Sequence, residues 1–247
     1  MKQKSASITL QCLMMNSLLF TASHTFANDA SQNDFQCLMI AETEVSISPP
    51  VSGVIKQVYV ERGDNIKKNQ VLVRLKAEVE QAEADLTRAR RAFSQRKLQR
   101  NKQLFKDSIV SEVAVDEAET EAKLVEVEVR KAEALLVQKT IRSPISGIVI
   151  SRSVSDGQFV NTEEMVKIAK IDPLFVEVVL PVSEFGKVAV GAQATVFPES
   201  PVNGEYQAKV VVVDPVIDAA SGTFGIRLEL PNPKNTLPAG LNCRVKF

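Results

Sequence analysis

The 247-residue chain lacks tryptophan altogether and contains only two tyrosines, three cysteines and one histidine. Its 30 basic side chains are balanced by 30 acidic ones, so it has no positive excess that would attract nucleic acid or an anionic membrane surface. No aromatic residues are interleaved among the basic ones, which excludes a surface on which bases would stack. We therefore predict no nucleic-acid partner.

The first 27 residues have the pattern of a secretory signal peptide. Lys2 and Lys4 precede an apolar run from Ile8 to Phe20, and the small residue Ala27 ends the segment. The apolar run is shorter than the roughly 20 residues that a membrane span needs. We predict a cleaved signal peptide over residues 1–27, with an uncleaved N-terminal anchor as the alternative.

Removal of this segment would also remove His24, the one histidine of the chain. A mature chain without histidine has no histidine general base, no Ser-His-Asp triad and no histidine metal ligand. Most carboxylates follow helical periodicity, and no nucleophile has a base in a recognisable arrangement beside it. We predict that the protein is not an enzyme and holds no metal or cofactor.

Two cysteines remain in the mature chain, Cys37 and Cys243, near its opposite ends. An even number of cysteines in an exported protein permits a disulfide, which here requires the two ends to meet. We predict a first strand that carries Cys37 beside a last strand that carries Cys243. The alternative is two separate buried thiols.

What the sequence does contain is an internal repeat. Pro50-Val51-Ser52-Gly53 recurs 94 residues later as Pro144-Ile145-Ser146-Gly147, and Gly63 recurs at the same offset as Gly157. Each copy carries β-favouring residues around a glycine turn. We predict that residues 44–76 and 140–170 are two halves of one small β-module.

Between the two halves the apolar residues recur at helical steps of three and four. No glycine or proline occurs from residue 64 to residue 143, and Ser111 is a good N-cap after a break near residues 106–110. Basic residues on the outer part of the first segment would face acidic residues of the second. We predict an antiparallel coiled-coil hairpin over residues 77–139, with arms of roughly 40–45 Å. The first predicted seam is Val79, Ala82, Leu86, Ala89 and Phe93, and the second is Val115, Ala118, Ala122, Val125, Val129, Ala132 and Leu136.

Residues 171–247 are patterned as strands. Thr223–Leu230 alternates apolar and polar residues, as a half-buried strand does, and Val182–Val190 is expected to form a short helix. Five or six strands predict a small β-barrel. We expect the segment 28–43 to contribute an edge strand to it.

The order of split module, hairpin and barrel resembles the periplasmic adaptors, the membrane fusion proteins of the HlyD and efflux-adaptor family. The resemblance covers about residues 42–247 and rests on motifs that are specific only together. These motifs are Ser48–Gly53, Gly63-Asp64, Ile141–Gly147, Asp214–Asp218, Ser221–Phe224 and Leu237–Gly240. It implies an elongated α+β fold, in which a split lipoyl-like β-module is interrupted by the antiparallel coiled-coil hairpin and followed by a small β-barrel.

The resemblance also implies a function. It would make the chain the periplasmic adaptor subunit of a tripartite efflux or export system, linking an inner-membrane transporter to a TolC-like outer-membrane channel. Such a protein is located in the periplasm, is associated with the inner membrane, and forms a homo-oligomeric ring.

The hairpin tip carries the most specific part of the resemblance. Family members that dock on TolC-like channels have Arg, Leu and Ser in the spacing R-x3-L-x6-S, which Arg100, Leu104 and Ser111 match. The resemblance implies that these three residues bind the outer-membrane channel. The alternative is that Arg100 is a solvated charge, Leu104 a coiled-coil core residue and Ser111 an N-cap.

Three other functions are alternatives to this one. In a lipoyl or biotinyl carrier the modified lysine stands on a tight turn, but here the helical insertion replaces that turn, and Lys76 and Lys139 only flank it. An adaptor of an ATP-driven type I secretion system would keep an uncleaved N-terminal anchor. A generic coiled-coil scaffold would share the hairpin but would not explain the interrupted repeat.

Overall fold

The computed structural model of the protein describes residues 34–247, so the predicted signal peptide and residues 28–33 lie outside the described residues. In chain order its strands are β1 (Phe35–Ile47), β2 (Gly53–Val58), β3 (Asn65–Ile66), β4 (Val71–Leu75), β5 (Thr140–Arg142), β6 (Gly147–Arg152), β7 (Phe159–Val160), β8 (Val166–Pro181), β9 (Gln193–Pro198), β10 (Tyr206–Val213), β11 (Thr223–Leu230) and β12 (Leu241–Lys246). The helices are α1 (Glu78–Lys106) and α2 (Glu112–Gln138). Across residues 34–247, neither helix is apolar enough over a sufficient length to cross a membrane.

Six antiparallel strands form a closed barrel in the order β1-β12-β9-β10-β11-β8, and β8 pairs back onto β1. The prediction of a small barrel is therefore confirmed. The prediction that the segment 28–43 contributes an edge strand is wrong, because β1 is hydrogen-bonded to β12 on one side and to β8 on the other, so the barrel has no edge there. Alternate side chains of β11, from Phe224 to Leu230, point into the core as predicted and are at most 3% exposed.

The strands that carry the two cysteines are neighbours in this barrel. Cys37 of β1 lies directly opposite Cys243 of β12, with the Cα atoms 4.8 Å apart. Both side chains are buried in the barrel core, and the structure joins their sulfur atoms at 2.11 Å. The first and last described strands thus meet, although 206 residues separate the two cysteines in sequence.

The barrel also contains a turn that the sequence did not predict. The expected helix over Val182–Val190 is reduced to a three-residue 3-10 turn, Val182–Glu184. The chain leaves this turn at Phe185, whose ring packs edge-on against Phe224 with 5.1 Å between centroids, and then bends at Gly186, where φ is +85°. A backbone in the left-handed region does not continue a helix.

The two repeat halves interlock to form the lipoyl-like β-module. The equivalent strands β2 and β6 span Gly53–Val58 and Gly147–Arg152, which is the offset of 94 residues read from the sequence. Strand β3 of the first half pairs with β6 of the second, and β7 of the second half pairs with β2 of the first. Neither half can complete its sheet alone.

Equivalent positions of the repeat also fill equivalent places in the core. Ile55 and Val149 are 0% and 1% exposed, and Ile66 and Val160 are 3% and 1% exposed. Gly63 and Gly157, which are the paired turn residues, both have positive φ, at 95° and 81°. The sequence repeat therefore corresponds to a structural repeat, and its two copies contribute to one hydrophobic core.

The barrel and the β-module share the strands β1 and β8, which run through both. Asn232 braces this junction and is only 2% exposed. Its side-chain amide donates to the carbonyls of Ile171 at 3.0 Å and Leu237 at 2.9 Å, and its amide oxygen accepts from the Leu237 N–H at 3.1 Å. The backbone N–H of Asn232 donates to the Asp172 carboxylate at 2.8 Å. A buried polar side chain is tolerated here because its hydrogen bonds are made.

The helical insertion is an antiparallel hairpin, as predicted, with arms of 29 and 27 residues. The predicted seam of α2 is confirmed, since Ala118, Val129 and Ala132 are buried against α1. The predicted seam of α1 is wrong. Its largest members, Leu86 and Phe93, are 47% and 61% exposed.

Small residues make the contact of α1 instead. Ala84, Thr87 and Ser94 are buried at the interface, and their size lets the two helices approach closely. The Thr87 hydroxyl donates to the Glu83 carbonyl at 3.0 Å, and the Ser94 hydroxyl donates to the Arg91 carbonyl at 3.0 Å. Because the hydroxyls are bonded within their own helix, burying them leaves no unsatisfied donor.

Opposite charges align along the hairpin in the predicted antiparallel sense. The closest cross-helix ion pairs are Lys97 with Glu121 at 2.6 Å and Arg88 with Glu133 at 2.9 Å. At the base, Lys139 donates to Glu80 at 3.0 Å and to the carbonyl of Ser52 at 3.4 Å. The hydrogen bond from Lys139 holds the pKa of Glu80 below its ordinary value. Lys139, one of the two lysines that flank the insertion, is thus a brace between hairpin and module.

Candidate docking site at the hairpin tip

The turn at the tip closes α1 with a Schellman motif. Ser108 adopts a left-handed conformation with φ of +57°. Its N–H donates to the Phe105 carbonyl at 2.9 Å, and the Ile109 N–H donates to the Leu104 carbonyl at 2.8 Å. These are the two hydrogen bonds that define the motif. The usual residue at the left-handed position is glycine, and its absence explains why the sequence showed only a break there.

Helix α2 begins immediately after this turn. Ser111 is its N-cap, and the Ser111 hydroxyl accepts a hydrogen bond from the Ala114 N–H at 3.3 Å. The side-chain amide of Asn101 donates to the Ala114 carbonyl at 3.1 Å and so ties α1 to the first turn of α2. The tip is therefore braced from both arms, which holds its outward side chains in fixed positions.

The three residues predicted from the family spacing occupy different environments at this tip. Arg100 is exposed, and within residues 34–247 it makes no ion pair. Leu104 is half-buried one helical turn further on, about 6 Å along the axis. Ser111 is exposed but its hydroxyl already serves as the N-cap. Of the three, Arg100 has its polar group free for a partner.

Sequence reasoning missed an apolar group at the same tip. Phe105, Ile109 and Val113 are 44%, 67% and 64% exposed, and they flank the turn on both sides. We call these three residues the apolar tip. They fall outside both predicted seams, and that mismatch with the heptad pattern was the signal that could have identified them. Apolar side chains held outward on a rigid turn are the feature expected of a protein-binding surface.

An acidic residue of α2 near the tip, Glu119, makes two ion pairs. Glu119 lies 3.0 Å from Lys123 and 3.5 Å from Lys102. The hydrogen bond from Lys123, aided by Lys102, lowers the pKa of Glu119. Among residues 34–247 no group of three or more His, Cys, Asp or Glu side chains has the arrangement that a metal ion needs.

Two protein families match adjoining parts of the chain. The family described as CzcB-like, barrel-sandwich hybrid domain, matches residues 43–170, and the family described as CusB-like, beta-barrel domain, matches residues 173–247. The boundary between the two matches falls within β8, the strand that β-module and barrel share.

Characterised relatives agree with these matches. The chain is 29% identical to multidrug resistance protein MdtE of Escherichia coli K12, over 79% of this chain and 58% of that protein. It is 23% identical to the antibiotic efflux pump periplasmic linker protein ArpA of Pseudomonas putida, over 79% of this chain and 57% of the relative. The chain thus spans little more than half the length of these two relatives.

Among solved structures, the chain is similar to a MacA–MexA chimera that contains the α-hairpin domain of Pseudomonas aeruginosa MexA. The TM-score is 0.74 at 27% identity, and the match covers 86% of this chain and 78% of the chimera. An efflux transporter structure from Bacteroides eggerthii shares the fold with a TM-score of 0.73 at 16% identity, over 86% of this chain and 67% of that one. With its split β-module, helical hairpin and closed barrel, the chain belongs to the periplasmic adaptor family of membrane fusion proteins.

Proposed function

We propose that the chain is the periplasmic adaptor subunit of a tripartite efflux or export system. In this proposal it links an inner-membrane transporter to a TolC-like outer-membrane channel and does no chemistry itself. The relatives MdtE and ArpA, which are named for multidrug resistance and antibiotic efflux, support this role. The protein would act in the periplasm, in association with the inner membrane.

The observation that carries the proposal is the hairpin tip. A closed turn holds Arg100 and the apolar tip outward at the end of two helices of 29 and 27 residues. Burial of apolar surface contributes roughly 25 cal/mol per Å² and supplies affinity, while a fixed cation supplies orientation through a charge-assisted hydrogen bond. The arrangement suits the tip of another helical protein that offers a carboxylate or carbonyl beside an apolar pocket.

The other parts of the fold suit the same role. The interlocked β-module gives the hairpin a rigid base, because each repeat half completes the sheet of the other. Lys139 at the end of α2 then connects the hairpin to that base, because its ammonium group pairs with Glu80 of α1 at 3.0 Å and donates to the Ser52 carbonyl of the β-module at 3.4 Å. The position of the hairpin tip is thereby coupled to the position of the barrel, as a linker between two membranes requires.

The test is a charge reversal at the tip with a matched control. We expect Arg100→Glu to lower copurification of the outer-membrane channel from membranes of the native host at least tenfold, because the exposed cation is replaced by an anion. Arg62→Glu makes the same charge change at an exposed turn of the β-module and should copurify the channel normally. The thermal midpoint of both variants should match that of the unchanged protein.

Each outcome of this experiment has a clear reading. Unchanged channel recovery with Arg100→Glu would overturn the assignment of this residue to docking. Recovery of neither a transporter nor a channel with the unchanged protein would favour a coiled-coil scaffold instead. If an ATP-driven exporter copurifies, the chain serves a type I secretion system.

A further inference from the structure

Both sulfur atoms of the disulfide lie inside the barrel, where a second protein does not reach them. Cys37 is 7% exposed and Cys243 is 0% exposed, and both belong to the apolar cluster that fills the barrel. Thiol–disulfide exchange needs direct attack of one sulfur on another, and it passes through a mixed disulfide with the partner. A protein that oxidises these two cysteines therefore cannot act on the closed barrel.

The two cysteines stand on the strands that close the barrel. Strand β1 pairs with β8 from Cys37 to Ile47, and β12 pairs with β9 over Cys243–Lys246. The contact between β1 and β12 is a separate pairing, which joins Phe35–Met39 to Leu241–Val245. As long as this contact is open, the edges of both strands are free and the barrel core is open above the two sulfur atoms.

The order of the chain makes Cys37 the first of the two to meet an oxidant. It precedes Cys243 by 206 residues, so during export its thiol is present while the rest of the chain is still arriving. Until β12 arrives, β1 has an unpaired edge on that side, and unpaired strand edges readily pair with another chain. Cys243 is carried by the last described strand and follows β9, its other neighbour.

We propose that an external protein with a reactive disulfide oxidises Cys37 and Cys243 while the barrel is still open between β1 and β12, and that closure then seals the new bond in the core. The partner is defined by its chemistry, an oxidised pair of cysteines of the Cys-X-X-Cys type. Cys37 forms the mixed disulfide with it, and Cys243 resolves that mixed disulfide.

The exchange balances in two steps. The Cys37 thiolate attacks one sulfur of the partner's disulfide, a mixed disulfide forms, and one partner thiolate leaves. The Cys243 thiolate then attacks the Cys37 sulfur, the Cys37–Cys243 bond forms, and the second partner thiolate leaves. Two electrons pass to the partner, and the two protons that the cysteines lose are matched by the two that the partner's thiolates take up.

This inference rests on the proposed function for its compartment, because the bacterial periplasm is where protein disulfides form. It adds a partner that acts once, during folding, and is distinct from the transporter and the channel. The bond it leaves joins β12 to β1, and β1 continues into the β-module. The barrel is thereby locked at the strand that connects it to the base of the hairpin.

The first test decides whether oxidation precedes closure. It uses the exported chain with Cys12→Ser, so that Cys37 and Cys243 are its two thiols. The chain is reduced, unfolded in urea and refolded with a purified Cys-X-X-Cys oxidase in its disulfide form. We expect the bond to form about tenfold more slowly when the oxidase is added after folding than when it is present from the start, because the thiols are then buried.

Circular dichroism follows folding in both arms of this test. A reduced chain that folds only once the oxidase is added supports the same order of events. Equal rates of bond formation before and after folding would overturn the proposal.

The second test identifies the residue that meets the partner. In cells quenched with acid and alkylated, Cys243→Ser should accumulate a mixed disulfide through Cys37, because the resolving thiol is missing. Cys37→Ser is the matched control and should give about tenfold less of it, because Cys243 meets the partner only as the barrel closes. Mass spectrometry should find the first cysteine of a Cys-X-X-Cys pair attached to Cys37. Equal trapping in both variants, or only a small-molecule thiol on Cys37, would contradict the proposal.

The third test asks whether closure seals the bond. Dithiothreitol should reduce the Cys37–Cys243 bond of the folded protein at least about tenfold more slowly than that of the urea-unfolded protein, because the reductant must reach a buried sulfur. Equal rates of reduction would count against a sealed bond.

These results can be separated from the test of channel docking. If oxidation follows closure, the refolding test fails while Arg100→Glu still lowers channel recovery. If channel docking is wrong, channel recovery does not respond to Arg100→Glu while Cys243→Ser still traps the partner.

Discussion

Replacement of Gly147 by alanine should destabilise the β-module far more than the same change at Gly53, its counterpart in the repeat. An alanine Cβ at Gly147 would lie 2.3 Å from the carbonyl oxygen of Ala169 and 2.9 Å from the carbonyl carbon. Both atoms belong to the backbone of β8, so no side-chain rotation relieves the overlap. At Gly53 the nearest atom is Leu75 Cδ1 at 3.4 Å, an ordinary contact.

The expected size of the effect follows from this geometry. Overpacking of a well-packed core costs typically 1–3 kcal/mol, and a clash with fixed backbone belongs near the upper end, at about 3 kcal/mol. For a domain of this size that lowers the thermal midpoint by roughly 6–12 °C. Gly53→Ala should be neutral or stabilise by up to about 1 kcal/mol, because alanine loses less backbone entropy than glycine in a strand.

Thermal unfolding followed by circular dichroism measures both variants against the unchanged protein. Since the two glycines are 94 residues apart at equivalent points of the repeat, each serves as the control for the other. Equal midpoints for Gly147→Ala and the unchanged protein would refute the reasoning. A loss of stability in Gly53→Ala as large as that in Gly147→Ala would refute it equally.

Three further predictions concern stability. Asn232→Ala should destabilise by about 3 kcal/mol, because it leaves two buried carbonyls and one N–H without their partner, and urea unfolding measures this. Thiol titration of the denatured, unreduced mature protein should find Cys37 and Cys243 unreactive, and reduction should lower stability by up to about 5 kcal/mol if loop entropy dominates. Glu80→Gln should cost on the order of 1 kcal/mol at neutral pH through its bond to Lys139. The pKa of Glu80 is lowered in the folded protein. The ionised carboxylate therefore stabilises the fold fully at pH values above the ordinary carboxyl pKa, and this stabilisation is lost as the pH falls through the pKa of Glu80 in the folded protein.

Each of these predictions has a control or a contrary outcome. Gln207→Ala removes an exposed hydrogen bond to Thr195 and should change stability by less than about 1 kcal/mol. Two reactive thiols in the denatured mature chain would show that the cysteines are not bonded. For Glu80, a stability difference from Glu80→Gln that persists unchanged at acidic pH would contradict the ion-pair explanation.

The internal repeat shows how much of the fold could be predicted from sequence. Strands β2 and β6 begin at Gly53 and Gly147, and their turns reach positive φ at Gly63 and Gly157, all at the offset seen in the sequence. Glycine at such turns and β-favouring residues between them are local requirements, so they appear in the sequence directly. The same holds for the seam of α2, in which Ala118, Val129 and Ala132 follow the predicted helical spacing and are buried.

The candidate site was only partly predictable. The family spacing predicted Arg100, which the structure places in an exposed position near the hairpin tip. The apolar tip was missed, because exposed Phe105 and Ile109 look like core residues until the turn between the helices is known. Ser108 in the left-handed conformation ends α1 without the glycine that would have marked it. Hydrogen bonds to Leu104 and Phe105 hold that conformation, and they exist only once the turn has formed.

By itself, the sequence determined the repeat, the helical insertion between its halves and the patterned strands after it, because each depends on residue types at local spacings. Tertiary structure alone decided which of two possible faces of α1 meets α2. The small residues Ala84, Thr87 and Ser94 form this contact, because their size lets the helices approach closely. Leu86 and Phe93 point outward. Tertiary structure also decided that β1 closes the barrel, because that pairing joins residues far apart in the chain, and no local pattern records such a contact.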